Sequence, residues 1–166
     1  MIIELRKWTK DDKVALANIC NNADRRYLRN RIPYPYTDAD AEWWLNMVQE
    51  QEGKNGVYRA IVVDEKYVGN ISIEQKDDVY CKDAEIGYML LGSEWSKGIM
   101  TAAVSNICEL AFNNLDIIRI TGLVHEPNIG SRRVLEKNNF ILEGIMKKAI
   151  YKNDNIYDEC IYGLLK

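Results

Sequence analysis

The chain has 166 residues, 22 of them Lys or Arg and 25 Asp or Glu, for a formal net charge of −3. That length suits one domain over residues 1–166, burying roughly two thirds of the surface its unfolded chain exposes without disulfide or metal staples. Its 47% hydrophobic and 28% charged residues exclude a disordered tail. The longest charge-free run, Gly98 to Cys108, falls short of the ~18 apolar residues of a membrane span, and the early charges of Met1 to Lys7 do not read as a signal peptide, so a cytoplasmic protein is expected.

Ile2 to Arg6 alternates apolar and charged residues as a half-buried strand does, and Thr9 is placed to cap a helix over Asp11 to Cys20. The prolines of Ile32-Pro-Tyr-Pro-Tyr forbid helix interior, so this is an aromatic loop. Thr37-Asp-Ala-Asp then opens a helix to about Gln51. Val57 to Val63, Tyr67 to Glu74 and Ala84 to Leu91 read as strands, rich in β-branched and aromatic residues. Met100, Ala103, Val104, Ile107 and Ala111 recur at helical spacing. Ile117 to Val124 is a strand, Ile129 to Lys137 a short helix, and Phe140 to Tyr151 and Ile156 to Leu164 are two strands about Asn153-Asp-Asn. The order is mixed α/β, and chemistry is expected in the central strand-helix-strand-helix unit, where strand ends meet helix N-termini.

Cys20, Cys81, Cys108 and Cys160 are scattered and His125 is the only histidine. That pattern excludes most zinc sites and leaves free thiols and no metal as the expectation. The slight acidity argues against broad nucleic-acid binding. Arg25, Arg26, Arg29 and Arg31 form one basic run, read either as a solvated helix end or loop or as the rim of an anionic-ligand site.

Gly92-Ser-Glu-Trp-Ser-Lys-Gly-Ile-Met-Thr joins the strand ending at Leu91 to the helix beginning near Ile99. A turn entering a helix through Gly98 leaves first-turn N–H groups pointing outward at the positive end of the dipole, where a pyrophosphate fits. A plain loop is the alternative.

Trp95-Ser-Lys-Gly-Ile-Met resembles the acyl-CoA-binding motif Gln/Arg-x-x-Gly-x-Gly/Ala of the GNAT N-acetyltransferase family. Glu85-Ile-Gly-Tyr, Asn128-x-x-Ser131, Lys137-Asn-Asn-Phe140, Glu143-Gly144, the early Tyr36-Thr-Asp-Ala-Asp-Ala and Asp158 in the closing strand extend the resemblance over nearly the whole chain. They are similar to the branch containing the ribosomal-protein N-terminal acetyltransferases. Trp95 and Met100 depart from the motif, and Asn139 replaces its usual glycine, keeping a left-handed helix exit accessible.

The resemblance implies a mostly antiparallel, twisted sheet of about seven strands flanked by about four helices and splayed in the middle. It implies acetyl transfer from the cosubstrate acetyl-CoA to a primary amine by direct attack in a ternary complex, the acceptor being a protein N-terminus, a polyamine or another small amine. Leu90 and Leu91 are then the backbone donors to pantetheine and the thioester carbonyl, or ordinary sheet core. Trp95, Ser96, Lys97, Gly98, Ile99, Met100 and Thr101 hold the cofactor with Asn128, Ser131 and Lys137. Glu85 is the candidate general base, or an exposed structural carboxylate. In many relatives a tyrosine seven residues after the Asn position protonates the thiolate; here that residue is Leu135. Ser131 takes the role of approaching the sulfur, and otherwise only opens the helix. Tyr34, Tyr36, Trp43 and Trp44 are candidates for an aromatic acceptor wall, with core packing the alternative for at least one tryptophan. Partners are acetyl-CoA and an amine, with no DNA, no membrane and room for a homodimer. The rival is a non-catalytic acyl-CoA-binding module, and a third reading has the arginine run binding RNA.

Overall fold

The computed structural model describes residues 1–166, in the order β1 (Ile3–Lys7), α1 (Lys13–Asn22), α2 (Asp38–Gln51), β2 (Gly56–Val63), β3 (Lys66–Gln75), β4 (Asp83–Leu90), α3 (Ile99–Asn114), β5 (Arg119–His125), α4 (Ile129–Lys137), β6 (Ile141–Lys152) and β7 (Asn155–Leu165). The strands form one sheet in the order β1-β2-β3-β4-β5-β7-β6. Every pairing is antiparallel except β4 with β5, which are joined by a helical crossover and run parallel.

Caps and turns fix the element ends. Thr37 accepts from the Asp40 N–H while the Asp40 carboxylate accepts from the Thr37 N–H, a reciprocal cap that starts α2 where the sequence predicts it. The helix expected over Asp11 to Cys20 instead opens with a 3-10 turn, Lys10–Asp12, with α1 continuing to Asn22. The Asp12 carboxylate accepts from both the Thr9 N–H and hydroxyl and draws the chain into the tighter turn. The strand expected from Ile117 begins at Arg119, because Ile117 and Ile118 still lead out of α3. Asn139 leaves α4 at φ 64°, the left-handed exit anticipated for asparagine.

The sheet carries a core on each face. The larger joins α3 and Leu135 of α4 to β2–β5 and β7 through residues such as Ile71, Ile86, Ile107, Ile120 and Tyr162. The smaller joins α1 and α2 to Tyr58, Ala60 and Val62 of β2, with Trp8 and Tyr36. β2 lies between them and is buried along its whole length. On the α1/α2 face, β5 and β7 are covered by the loop of residues 23–37 rather than by a helix: Tyr27 packs its ring on His125 and Tyr157, 5.4 and 6.3 Å away.

Candidate active site

The parallel β4/β5 ladder pairs only Asp83, Ala84 and Glu85 with Arg119, Ile120 and Thr121, and then stops. A polar clasp holds the closed end. Asp83 accepts from the Thr121 hydroxyl at 2.8 Å and from Lys76 Nζ at 2.6 Å, while Arg119 Nε donates to Thr121. Past Glu85 the two strands separate, leaving the second half of β4 with one hydrogen-bonding edge free of a strand partner. The Leu91 N–H goes the other way, to the Val68 carbonyl at 2.9 Å. Strand alternation therefore turns the Leu90 N–H toward the open seam. Of the two expected backbone donors, Leu90 is available and Leu91 is committed to β3.

The open seam leads to the start of α3. Gly98 caps the helix at φ 78°, and a Cβ built there would meet nothing within 4 Å, so a ligand can approach this backbone closely. Ile99, Met100 and Thr101 present first-turn N–H groups that the helix itself cannot use. The Ile99 and Met100 side chains face the larger core, which turns only their backbone toward the seam. Trp95 Nε1 donates to the Leu90 carbonyl at 3.1 Å, Ser96 takes φ 61°, and Lys97 pairs with Glu94 at 3.0 Å, folding the turn upon itself. An acyl-CoA fits this set: N–H groups for phosphates at the helix start and a free strand edge for an amide-bearing arm.

α4 closes the far side. Asn128 accepts from the Ser131 N–H and thus caps the helix. Asn138 donates to the Thr101 carbonyl at 3.1 Å and docks α4 beside the α3 first turn. Lys137 next to it is exposed and free of any salt bridge. Leu135 is fully buried against Gly122, where an added Cβ would come within 2.7 Å of its Cδ1. Position 135 thus serves the seat of α4 on β5, and no acid reaches the seam from it. Sequence reasoning missed Tyr88, whose hydroxyl lies 2.7 Å from Ser131 Oγ. Its sole sequence signal is its place in Glu85-Ile-Gly-Tyr, on the same face as Ala84 and Ile86.

The opposite face holds the second group of side chains. Glu85 is in an ion pair with Arg29, from the 23–37 loop. Glu159 on β7, also missed by sequence reasoning, is opposite His125 on β5. Burial raises its carboxyl above the usual range, the Arg29 charge opposes that rise, and the Glu85 charge adds to it. His125 Nε2 is buried without a hydrogen-bond partner. Burial, then the Lys152 and Arg29 charges, push the imidazole below its ordinary value. Lys152, 8% exposed, donates to the carbonyls of Arg25 and Leu28, and Arg25 to those of Cys20 and Ile32, which strap the loop over these groups. Three of the four arginines of the basic run are paired within the chain, Arg25 on carbonyls, Arg26 on Asp24 and Arg29 on Glu85, while Arg31 is exposed. Of the proposed aromatic wall, Tyr36 is a correction. It is 8% exposed within the smaller core because Asn21 bonds its backbone from both sides and holds it inward. Trp44 packs edge-on to Trp8 and Tyr58. Tyr34 and Trp43 are exposed, with the Arg25 guanidinium 5.0 Å above the Tyr34 ring.

Residues 3–141 match the family described as Acetyltransferase (GNAT) domain. YoaA, an uncharacterized N-acetyltransferase of Bacillus subtilis, is 32% identical over 166 residues, covering 98% of this chain and 92% of the relative. The ribosomal-protein-serine acetyltransferase of Escherichia coli is 30% identical over 118 residues, 71% of this chain and 65% of that one. A solved RimL ribosomal alpha-N-protein acetyltransferase in complex with coenzyme A superposes with a TM-score of 0.82 at 23% identity, over 98% of this chain and 93% of that one. With the family model matched over most of its length, the chain belongs to the GNAT acetyltransferase family.

Proposed function

We propose that this protein transfers an acetyl group from acetyl-CoA to a primary amine, by direct attack within a ternary complex. The observation that carries this is the β4/β5 seam: a backbone cradle opens on one side of it, at Leu90 and Ile99 to Thr101, and two carboxylates, Glu85 and Glu159, lie on the other. The coenzyme A in the RimL structure supports the ligand, and that structure's alpha-N-protein activity, with the ribosomal-protein activity named for the Escherichia coli relative, supports a protein N-terminus among the acceptors.

When bound, acetyl-CoA supplies the activated acyl group as a thioester. The first-turn N–H groups of α3 bind its phosphates with the helix dipole behind them. The Leu90 N–H donates to the carbonyl oxygen, an interaction that strengthens as negative charge develops there. An incoming ammonium competes with Arg29 for Glu85. Once released, Glu85 takes the amine proton through water, beside Glu159, which adds negative charge to the same pocket. Ser131 hydrogen-bonds to the sulfur as it departs. Tyr34 and Trp43 remain exposed to meet the body of the acceptor.

The test is release of free thiol from acetyl-CoA by the pure protein, with a panel of N-terminal peptides, polyamines and monoamines. Amine-dependent release with a matching acetylated product is expected. Measurable acetyl-CoA binding with no release for any acceptor would instead establish a non-catalytic binding module.

A further inference from the structure

Where the β4/β5 ladder has ended, one side chain of β4 still hydrogen-bonds across the open seam. Tyr88, three residues beyond Glu85 on β4, reaches the first turn of α4 and places its hydroxyl 2.7 Å from Ser131 Oγ and 3.4 Å from the Ser131 carbonyl oxygen. The phenol can give its proton to either oxygen. If it donates to the carbonyl, the Ser131 hydroxyl donates back to the phenol and has nothing left for a ligand. If it donates to Oγ, the Ser131 proton is free to point into the seam.

We propose that Tyr88 is the positioning residue for the leaving group: it donates to Ser131 Oγ and so turns the Ser131 proton onto the sulfur of coenzyme A as the thiolate forms. This rests on the acetyl-transfer reading and deepens it at the sulfur end of the site. A negative sulfur beside Ser131 selects the second arrangement, because two donors in line polarise one another toward the charge. Neither residue loses its proton. Burial raises the Tyr88 phenol above its ordinary value, with the Ser131 contact opposing the rise, so it stays protonated throughout. The carbon–sulfur bond breaks with its electron pair going to sulfur, and the thiolate is stabilised by a hydrogen bond rather than neutralised by an acid. This accounts for a buried leucine at position 135: with the thiolate held by a directed hydroxyl, a proton donor on α4 is not required.

The experiment is a titration of bound coenzyme A, followed by the ultraviolet absorbance of its thiolate, in wild type, Tyr88→Phe, Ser131→Ala and the double variant. It needs no acceptor, so it is independent of whether the amine has been found. Both single variants are expected to lower the bound thiolate fraction near neutral pH about tenfold, with the double variant no worse than Ser131→Ala. The kcat of Tyr88→Phe is expected to fall by a similar factor while the KM for acetyl-CoA stays within about twofold. A Tyr88→Phe titration that overlays wild type overturns the proposal and leaves Tyr88 a packing residue. Site-specific fluorotyrosine at position 88 keeps the shape and sharpens the donor; it is expected to raise the thiolate fraction above wild type, and an unchanged or lowered fraction overturns the proposal even if Tyr88→Phe fails to fold. Failure of the wild type to bind coenzyme A by calorimetry would overturn the acetyl-transfer reading itself, and this proposal with it.

Discussion

The two sides of the β4/β5 seam are built on different principles. On the side proposed to hold the cofactor the groups on offer are backbone N–H groups of Leu90 and the first turn of α3, with Ile99 and Met100 side chains buried in the core behind them. On the side proposed to take the acceptor they are side chains drawn from the 23–37 loop, β4, β5, β6 and β7: Arg29, Glu85, His125, Lys152 and Glu159. A backbone site tolerates side-chain change if the turn survives. A side-chain site changes with each substitution, and its selectivity can diverge while the fold and cofactor chemistry persist.

Gly98→Asp tests the cofactor side most severely. Asp tolerates a left-handed backbone and the added Cβ meets open space, so the protein should fold, yet a carboxylate now faces the phosphates. Acetyl-CoA affinity by calorimetry is expected to fall about a hundredfold or more, roughly 3 kcal/mol, and retained affinity would move the phosphate site away from this turn. Glu85→Gln tests the acceptor side: kcat is expected to fall about a hundredfold with acetyl-CoA affinity intact, and an unchanged kcat would remove Glu85 from proton transfer. Lys152→Met leaves the Leu28 carbonyl of the strap without a donor, while the Arg25 carbonyl keeps only the Leu28 N–H. It should lower stability by about 1–3 kcal/mol in a denaturant titration and raise the KM for the amine with little change for acetyl-CoA; equal effects on both would break the division between the sides.

The smallest effect is a pH dependence of stability carried by His125. Its folded-state value is depressed, so the unfolded chain binds the proton more readily. The stabilising contribution is therefore complete above the ordinary value of about 6.5 and is lost as pH falls through the lower folded value. Arg29 and Lys152 disfavour the charged ring, Tyr27 and Tyr157 pack on it, and Glu159 stands opposite on β7. His125→Gln should flatten the mildly acidic part of the stability profile, and a profile identical to wild type would exclude His125 as its source.

This division also explains what could be read in advance. The α3 turn was legible because a helix start and a glycine are local facts: Gly98, Ile99 and Asn128 were placed by neighbours within a few residues. Reciprocal capping at Thr37 and the Asn139 helix exit were legible for the same reason. Glu159 and Tyr88 were not, because their significance lies in partners 34 and 43 positions away, His125 and Ser131. Tyr36 misled because an aromatic in a proline-rich loop reads as exposed, whereas Asn21, 15 residues upstream, pins it inward. The partners of the arginine run were not legible for a related reason: Arg25 reaches backbone carbonyls, which carry no signature in composition, and Arg29 reaches Glu85, 56 positions away.

The Lys152 strap gives the molecule an order of assembly. Its ammonium joins a residue near the end of β6 to carbonyls 127 and 124 positions earlier, whereas Leu90 and Gly98 of the cofactor cradle are close neighbours in the chain. During synthesis, α3 and its N-terminal turn emerge while the 23–37 loop still lacks its anchor, and the loop must wait for the last hairpin before it can close over Glu85. The side proposed to take the amine is therefore completed last, after the turn proposed to hold the acyl donor has been made.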